Sequence, residues 1–279
     1  MSEIIKAVLW FLLLGGALGI ALSFAAKFLS VEEDPRIEKI SECLPGANCG
    51  GCGRAGCAAL AEAIAKGDAL PSSCTAIDEK GIEEISAIMG ITAEKKTRMV
   101  AHVMCSGTNT NARRKYVYEG VHDCVAADKL AGGDKLCPNG CMGLGTCAAH
   151  CKFDAIKVID ACAVVDRDLC RACGVCTDAC PKGLIKLIPY DAVYAVGCTC
   201  TESGAVTRKS CDVGCIGCKL CEKTCEAGAI KVEKGLAKIN YELCTHCGAC
   251  VEKCPRKIIK FADGRALIEK NEAPQEQTV

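Results

Sequence analysis

Cysteine spacing carries the chemistry legible in this chain. In Cys170-x2-Cys173-x2-Cys176-x3-Cys180-Pro181, and again in Cys244-x2-Cys247-x2-Cys250-x3-Cys254-Pro255, three closely spaced thiols are followed by a fourth just before a proline. Three thiolates at this spacing wrap three irons of one cubane, while the fourth leaves on the next helix and reaches a neighbouring cluster. Zinc modules use separated pairs instead. Cys215, Cys218, Cys221 and Cys225 form a further run. The expected groupings are Cys215, Cys218, Cys221 with Cys254, and Cys244, Cys247, Cys250 with Cys225. The two clusters then lie side by side.

The pattern is duplicated. Cys124, Cys137, Cys141, Cys147, Cys151, Cys170, Cys173, Cys176 and Cys180 recur 74 residues later at Cys198, Cys211, Cys215, Cys221, Cys225, Cys244, Cys247, Cys250 and Cys254. Ala155-Ile156-Lys157-Val158 likewise matches Ala229-Ile230-Lys231-Val232, so each repeat is one structural unit. The first repeat has Leu144 where a cysteine is due, and Cys137 lies just before Cys141. The expectation is that Cys137, Cys141 and Cys147 with Cys180 hold one cluster, and Cys170, Cys173 and Cys176 with Cys151 hold its partner.

A separate unit precedes the repeats. In LPGANCGGCGRAGC, Cys49, Cys52 and Cys57 stand on a glycine-rich turn, with Cys74 further on, and four such thiolates close around one metal centre. Taken alone, this segment also suits zinc. Gly51, Gly53 and Gly56 spell a dinucleotide-like G-x-G-x-x-G, but no buried strand precedes it and cysteines occupy the loop. Cys43 reads as a spare buried thiol. Cys105, Cys124, Cys198, Cys200 and Cys211 are left as candidate ligands of a sixth cluster, with folding support as the alternative. The four histidines form no paired ligand pattern and read as structural or surface groups.

The elements that must position these thiols follow from composition. With 27 cysteines, 50% hydrophobic and only 4% aromatic residues, the 279-residue chain has few large side chains for cores, so clusters must supply the centres. The balance of 34 Lys+Arg against 34 Asp+Glu argues against a nucleic-acid partner. Ala7 to Ala26 carries no charge and is long enough to cross a bilayer once. Lys27, Arg36 and Lys39 follow it, which favours a cytoplasmic body. Arg54 to Lys66 reads as a helix, another starts from Gly81, and Val100 to Met104 reads as a strand. In the first repeat, hairpin strands are expected at Ile156 to Ile159 and Val164 to Asp166. Arg113, Arg114 and Lys115 read either as a docking feature for an acidic carrier or as a solvated loop.

The fold class expected is α+β: an N-terminal transmembrane helix, a small 4Fe-4S unit and two tandem ferredoxin-like (2[4Fe-4S]) units. The divisions fall at 1–30 for the anchor, 31–80 for the N-terminal unit and 81–123 for a linker. Residues 124–189 and 190–264 form the ferredoxin-like units, and 265–279 a polar tail.

The anchor, the LPGANCGGCG turn and the Cys137-Pro-Asn-Gly-Cys141-Met-Gly-Leu-Gly-Thr-Cys147 run together resemble the B subunit of the Rnf complex, the membrane ferredoxin:NAD oxidoreductase that exports sodium or protons. Two ferredoxin units rather than one resemble the long form of anaerobes. Cys43, and Lys152 and Glu226 where proline often follows the fourth cysteine, depart from the pattern. The resemblance implies an electron-transfer subunit with five [4Fe-4S] clusters, or six, reduced by soluble ferredoxin and passing electrons singly to other Rnf subunits in the membrane. The chain has no catalytic triad or nucleotide loop, so NAD and flavin are expected on partner subunits. Two other readings stay open: an anchored polyferredoxin of a hydrogenase or dehydrogenase, and a metal-stabilised interaction or sensor module.

Overall fold

The computed structural model describes residues 2–28, 34–93 and 97–263. Helix α1 (Ser2–Phe28) contains a span, Glu3–Ala25, of mean hydropathy 2.2 with none of it buried against the rest of the protein. At about 1.5 Å per residue it is long enough to cross the hydrocarbon layer. Residues 31–33 of the following acidic stretch, and the tail from Asn271 to Val279, lie outside the described residues.

The N-terminal unit is built from α2 (Pro35–Cys43), α3 (Cys57–Lys66) and α4 (Glu79–Met89). Asp34 caps α2 by accepting from Arg36 N, with Pro35 in the first turn, and Asp78 caps α4 by accepting from Gly81 N. Helix α3 begins at Cys57 rather than Arg54 because Asn48 Oδ1 accepts from Cys57 N at 2.8 Å, holding residues 49–56 as a turn. It ends at Gly67, whose left-handed φ of 83° returns its N–H to Ala63 and Ile64 carbonyls. Ile40, Leu60, Ile64 and Ile85 pack together as the core of the unit.

The first repeat contains β1 (Met99–Val103), α5 (Cys124–Lys129), α6 (Thr146–Ala149), β2 (Ile156–Ile159), β3 (Cys162–Val165), α7 (Val175–Ala179) and β4 (Ile185–Pro189). The second contains β5 (Tyr194–Val196), α8 (Gly204–Ser210), α9 (Leu220–Thr224), β6 (Ile230–Glu233), β7 (Leu236–Ile239), α10 (Ala249–Lys253) and β8 (Ile259–Phe261). Each has two antiparallel pairs: β1 with β4 and the hairpin β2–β3, then β5 with β8 and the hairpin β6–β7. The second strand of the first hairpin starts at Cys162, earlier than the alternation suggests. Asp160 and Ala161 both take left-handed φ, 47° and 55°, making a two-residue turn that brings Ile159 opposite Cys162.

The cores between strands and short helices mix aliphatic side chains with thiols. Val100, Ile156, Val165, Leu184 and Ile185 surround Cys141, Cys147, Cys170 and Cys176 in the first repeat. Val196, Ile230, Leu236 and Ile259 surround Cys215 and Cys221 in the second. Helices of four or five residues carry ligand-spaced cysteines, and each leaves a turn through a left-handed residue, as at Gly174 with φ 81°.

Candidate iron–sulfur sites

Four small cavities lie beside the short helices, and each has cysteines from two runs in its wall. Cys215, Cys218 and Cys221 meet Cys254 at one, and Cys244, Cys247 and Cys250 meet Cys225 at another. Cys170, Cys173 and Cys176 meet Cys151 at a third. The fourth is lined by Cys141, Cys147, Cys180 and Cys124. Cys137 is not in its wall. It lies in the second repeat's core with Cys198, Cys200 and Cys215.

This placement differs from the expected grouping of Cys137 with Cys141, Cys147 and Cys180, and the cause is a longer connection. Between β1 and Cys141 the chain folds α5 back over the cavity, placing Cys124 against Met142 with Leu144 alongside. Asp123 caps α5, and Cys124 N donates to Thr146 Oγ1 at 2.6 Å, which fixes Cys124 beside the start of α6. Lys182 pins the same insertion, donating to Gly132 O and Pro138 O and pairing with Asp128 at 2.9 Å. The 74-residue match of Cys124 with Cys198 does not extend to structure either. Cys198 Sγ accepts from Cys215 N and Cys200 N, and it is Cys105 Sγ that accepts equivalently from Cys141 N and Gly107 N. Cys105 is thus the structural counterpart of Cys198, a match hidden by the insertion between them.

In the N-terminal unit Cys74 is buried, and burial with the nearby Cys49 and Cys52 pushes its thiol up. Cys52, Cys57 and Cys74 border the same core. Burial, then the nearby Glu84 carboxylate on α4, pushes the Cys43 thiol up. Gly51 abuts the carbonyl of Cys173, so a Cβ there would overlap it, and Cys49 faces Cys173. The N-terminal turn therefore sits directly on the Cys151, Cys170, Cys173, Cys176 site.

Within the first repeat, backbone N–H groups aim at sulfur: Ala101 N at Cys170 Sγ, 3.3 Å, Ala155 N at Cys151 Sγ, 3.4 Å, and Leu184 N at Cys180 Sγ, 3.5 Å. Such bonds favour anionic sulfur and tune a cluster's potential. Burial pushes Cys147 and Cys176 up to about 12, with neighbouring thiols adding to it. Thiols held so high ionise only when a metal takes the proton's place. Cys162 bonds to Cys105 and Cys141, which brings Cys105 down to about 6 and Cys141 down to about 7 while raising Cys162 itself. Among the described residues no three His, Cys, Asp or Glu side chains converge on the position of a single ion. Walls of four thiols match the ligand set of a [4Fe-4S] cluster, which takes four thiolates.

The basic triplet is exposed, and each of its side chains has a partner within the chain. Arg113 pairs with Asp212 at 3.1 Å, Arg114 with the buried Asp134, and Lys115 donates to Ala131 O.

Three segments match family models: residues 44–76 one described as "Putative Fe-S cluster", residues 163–186 a 4Fe-4S binding domain, and residues 214–259 a 4Fe-4S dicluster domain. The chain is 41% identical over 249 residues to the B subunit of the ion-translocating oxidoreductase complex of Methanosarcina acetivorans, covering 89% of this chain and 94% of that one. It is 37% identical over 280 residues to the B subunit of the proton-translocating ferredoxin:NAD(+) oxidoreductase complex of Clostridium ljungdahlii, covering 98% and 99%. The chain belongs to this family of B subunits. Its fold class is that of the family: mixed helix and strand, an N-terminal apolar helix, an iron–sulfur domain and ferredoxin-type 4Fe-4S domains. As a member it is an iron–sulfur electron-transfer subunit of an oxidoreductase complex, with other subunits of that complex as partners. A further relative, from Acetobacterium woodii, is 42% identical over 242 residues, 86% of this chain and 73% of its own, and is named for sodium translocation. Overall likeness within the family thus does not by itself set the coupling ion.

Proposed function

We infer that this chain is the series conductor of a membrane-anchored ferredoxin:NAD oxidoreductase, holding [4Fe-4S] clusters at five cysteine quartets. These are Cys49, Cys52, Cys57, Cys74; Cys151, Cys170, Cys173, Cys176; Cys124, Cys141, Cys147, Cys180; Cys215, Cys218, Cys221, Cys254; and Cys225, Cys244, Cys247, Cys250. Such groups supply one-electron transfer when bound. The observation that carries the reading is the order of the sites. The N-terminal turn abuts Cys173, Cys176 neighbours Cys147, and the second repeat's two sites share helices α9 and α10.

Electrons are taken to enter at the second repeat, from reduced ferredoxin, and to leave through the N-terminal unit toward the membrane. Two features support this direction. Of all the quartet cysteines, only Cys218 and Cys247 are exposed, and both belong to the second repeat. The N-terminal unit is the one next to α1 in sequence. The cluster-bearing part is assigned to the cytoplasm from Arg36 and Lys39 beyond the helix.

The test is iron, acid-labile sulfide and zinc per chain on protein purified without oxygen, followed by mixing with reduced ferredoxin. At least about twenty irons with matching sulfide, bleached within the mixing experiment, are expected. Zinc in place of iron, or clusters that ferredoxin leaves oxidised, would overturn the reading.

A further inference from the structure

Among the described residues Lys135 is the most deeply buried charged side chain, 1% exposed. Its ammonium donates to Gly107 O at 2.5 Å and to Ala161 O at 2.8 Å, and among the described residues no carboxylate pairs with it. The adjacent Asp134 is taken by Arg114. Asp160, next to Ala161, is exposed and accepts from Thr110 Oγ1 at 3.1 Å. A buried ammonium without a counter-charge is costly, so the assembled protein needs an anion near it.

The lysine runs beneath the turn that carries Cys141. Its Cδ lies 3.4 Å from the position a Cβ on Gly140 would take, and Gly140 immediately precedes Cys141. Ala161, whose carbonyl the ammonium holds, packs so closely on Gly143 that a Cβ there would come within 2.4 Å of the Ala161 carbonyl carbon. Cys141 and Gly143 both line the cavity shared with Cys124, Cys147 and Cys180. Lys182 lines that cavity too, but Asp128 neutralises it at 2.9 Å. The second repeat differs. Lys209, 74 residues after Lys135, is exposed, and Arg256 at the Cys215 cavity is half-buried. Water and salt screen charges in such positions, whereas a buried charge is screened much less.

We propose that Lys135 sets the potential of the site formed by Cys124, Cys141, Cys147 and Cys180. Taking up an electron makes a [4Fe-4S] group one charge more negative. A fixed ammonium beside it therefore stabilises the reduced form more than the oxidised one and raises the midpoint potential. One electron moves and no bond forms or breaks: the site is reduced as the neighbour that donates is oxidised. With Lys135 in place the first repeat takes an electron from the second more readily than it returns one. The second repeat has no buried lysine at the matching position, so the bias points one way.

The proposal rests on reading the chain as an iron–sulfur carrier, and the test separates the two. The anaerobically purified full chain, Lys135→Gln, Lys135→Arg and Lys209→Gln are titrated with reductant and followed by electron paramagnetic resonance. The signals of the Cys141 and Cys215 sites are identified by their loss in Cys147→Ala and Cys221→Ala. Gln keeps a donor for the two carbonyls and removes the charge, whereas Arg keeps the charge. In K135Q the ratio of reduced to oxidised cluster at the Cys141 site should fall about tenfold at a fixed potential, which is about 59 mV for one electron. K135R and K209Q should match the wild type. An unmoved midpoint in K135Q, or an equal shift at every site, overturns the proposal and leaves the carrier reading standing. Should K135Q fold without that cluster, its retention in K135R supports the proposal and its loss there overturns it. Should K135Q not fold, the wild type decides: the Cys141 site titrates above the Cys215 site, and the reverse order overturns the proposal. A wild type without iron sinks the carrier reading itself.

Discussion

At the scale of single residues, the cavity of Cys141, Cys147 and Cys180 takes a different fourth cysteine from the one expected from spacing. Cys124 lines the cavity of Cys141, Cys147 and Cys180, while Cys137 lies with Cys200 in the second repeat's core. Cys124→Ala should therefore damage the cluster at Cys141, Cys147 and Cys180, losing about one to four irons, and Cys137→Ala should leave that cluster intact. Iron loss and spectral change at that same cluster in Cys137→Ala would restore the expected grouping. Cys124 was hard to see because ligand spacing is a local rule: it relates thiols within one turn, whereas Cys124 reaches the cavity wall over a long insertion. His102 gives a second residue-scale expectation. Burial, then the charges of Lys260 and Arg167, hold its imidazole down at about 4, so it stays neutral where an unfolded histidine would take a proton. Its folded value lies below its unfolded one, so the unfolded chain binds more protons between about 4 and 6.5, and stability falls as pH drops through that window. Denaturation midpoints measured from pH 7 to 5 should fall more steeply for the wild type than for His102→Gln, while acid loss of clusters is common to both.

At the scale of elements, the docking of the N-terminal turn depends on an absent side chain. Gly51→Ala would drive a methyl group into the Cys173 carbonyl, which is backbone and cannot swing aside. Overpacking of this kind costs about 1–3 kcal/mol, and here it should open the contact between the N-terminal unit and the first repeat rather than unfold either. Limited proteolysis at 90–98 should accelerate in G51A while the iron content holds; an unchanged cleavage rate would show that the contact bears no weight. Most elements were legible in the sequence. Apolar periodicity marked α1, α3 and α4, and repeated β-branched runs marked the hairpins β2–β3 and β6–β7. The pairing of β1 with β4 was not, since each is the other's partner only across the whole first repeat. Nothing local in Met99–Val103 announces so distant a neighbour. The same applies to Arg113 and Arg114, whose acidic partners Asp212 and Asp134 are set by tertiary packing.

At the scale of the whole molecule, the N-terminal turn adjoins the first repeat, and the first repeat's Cys137 lies in the core of the second. The thiol walls are largely shielded, and the exceptions, Cys218 and Cys247, share the second repeat. A gap in shielding that lets a donor protein come close admits small oxidants equally well. Thiolates at exposed positions oxidise first. Brief exposure to air should strip iron from the second repeat before the first, with mass spectrometry finding sulfinic or sulfonic acid at Cys218 and Cys247 ahead of Cys141 and Cys170. Uniform oxidation would contradict this. On the proposed direction of flow, the opening through which the molecule is charged is also where it begins to rust, so an organism using it has to keep oxygen away from one end of the chain above all.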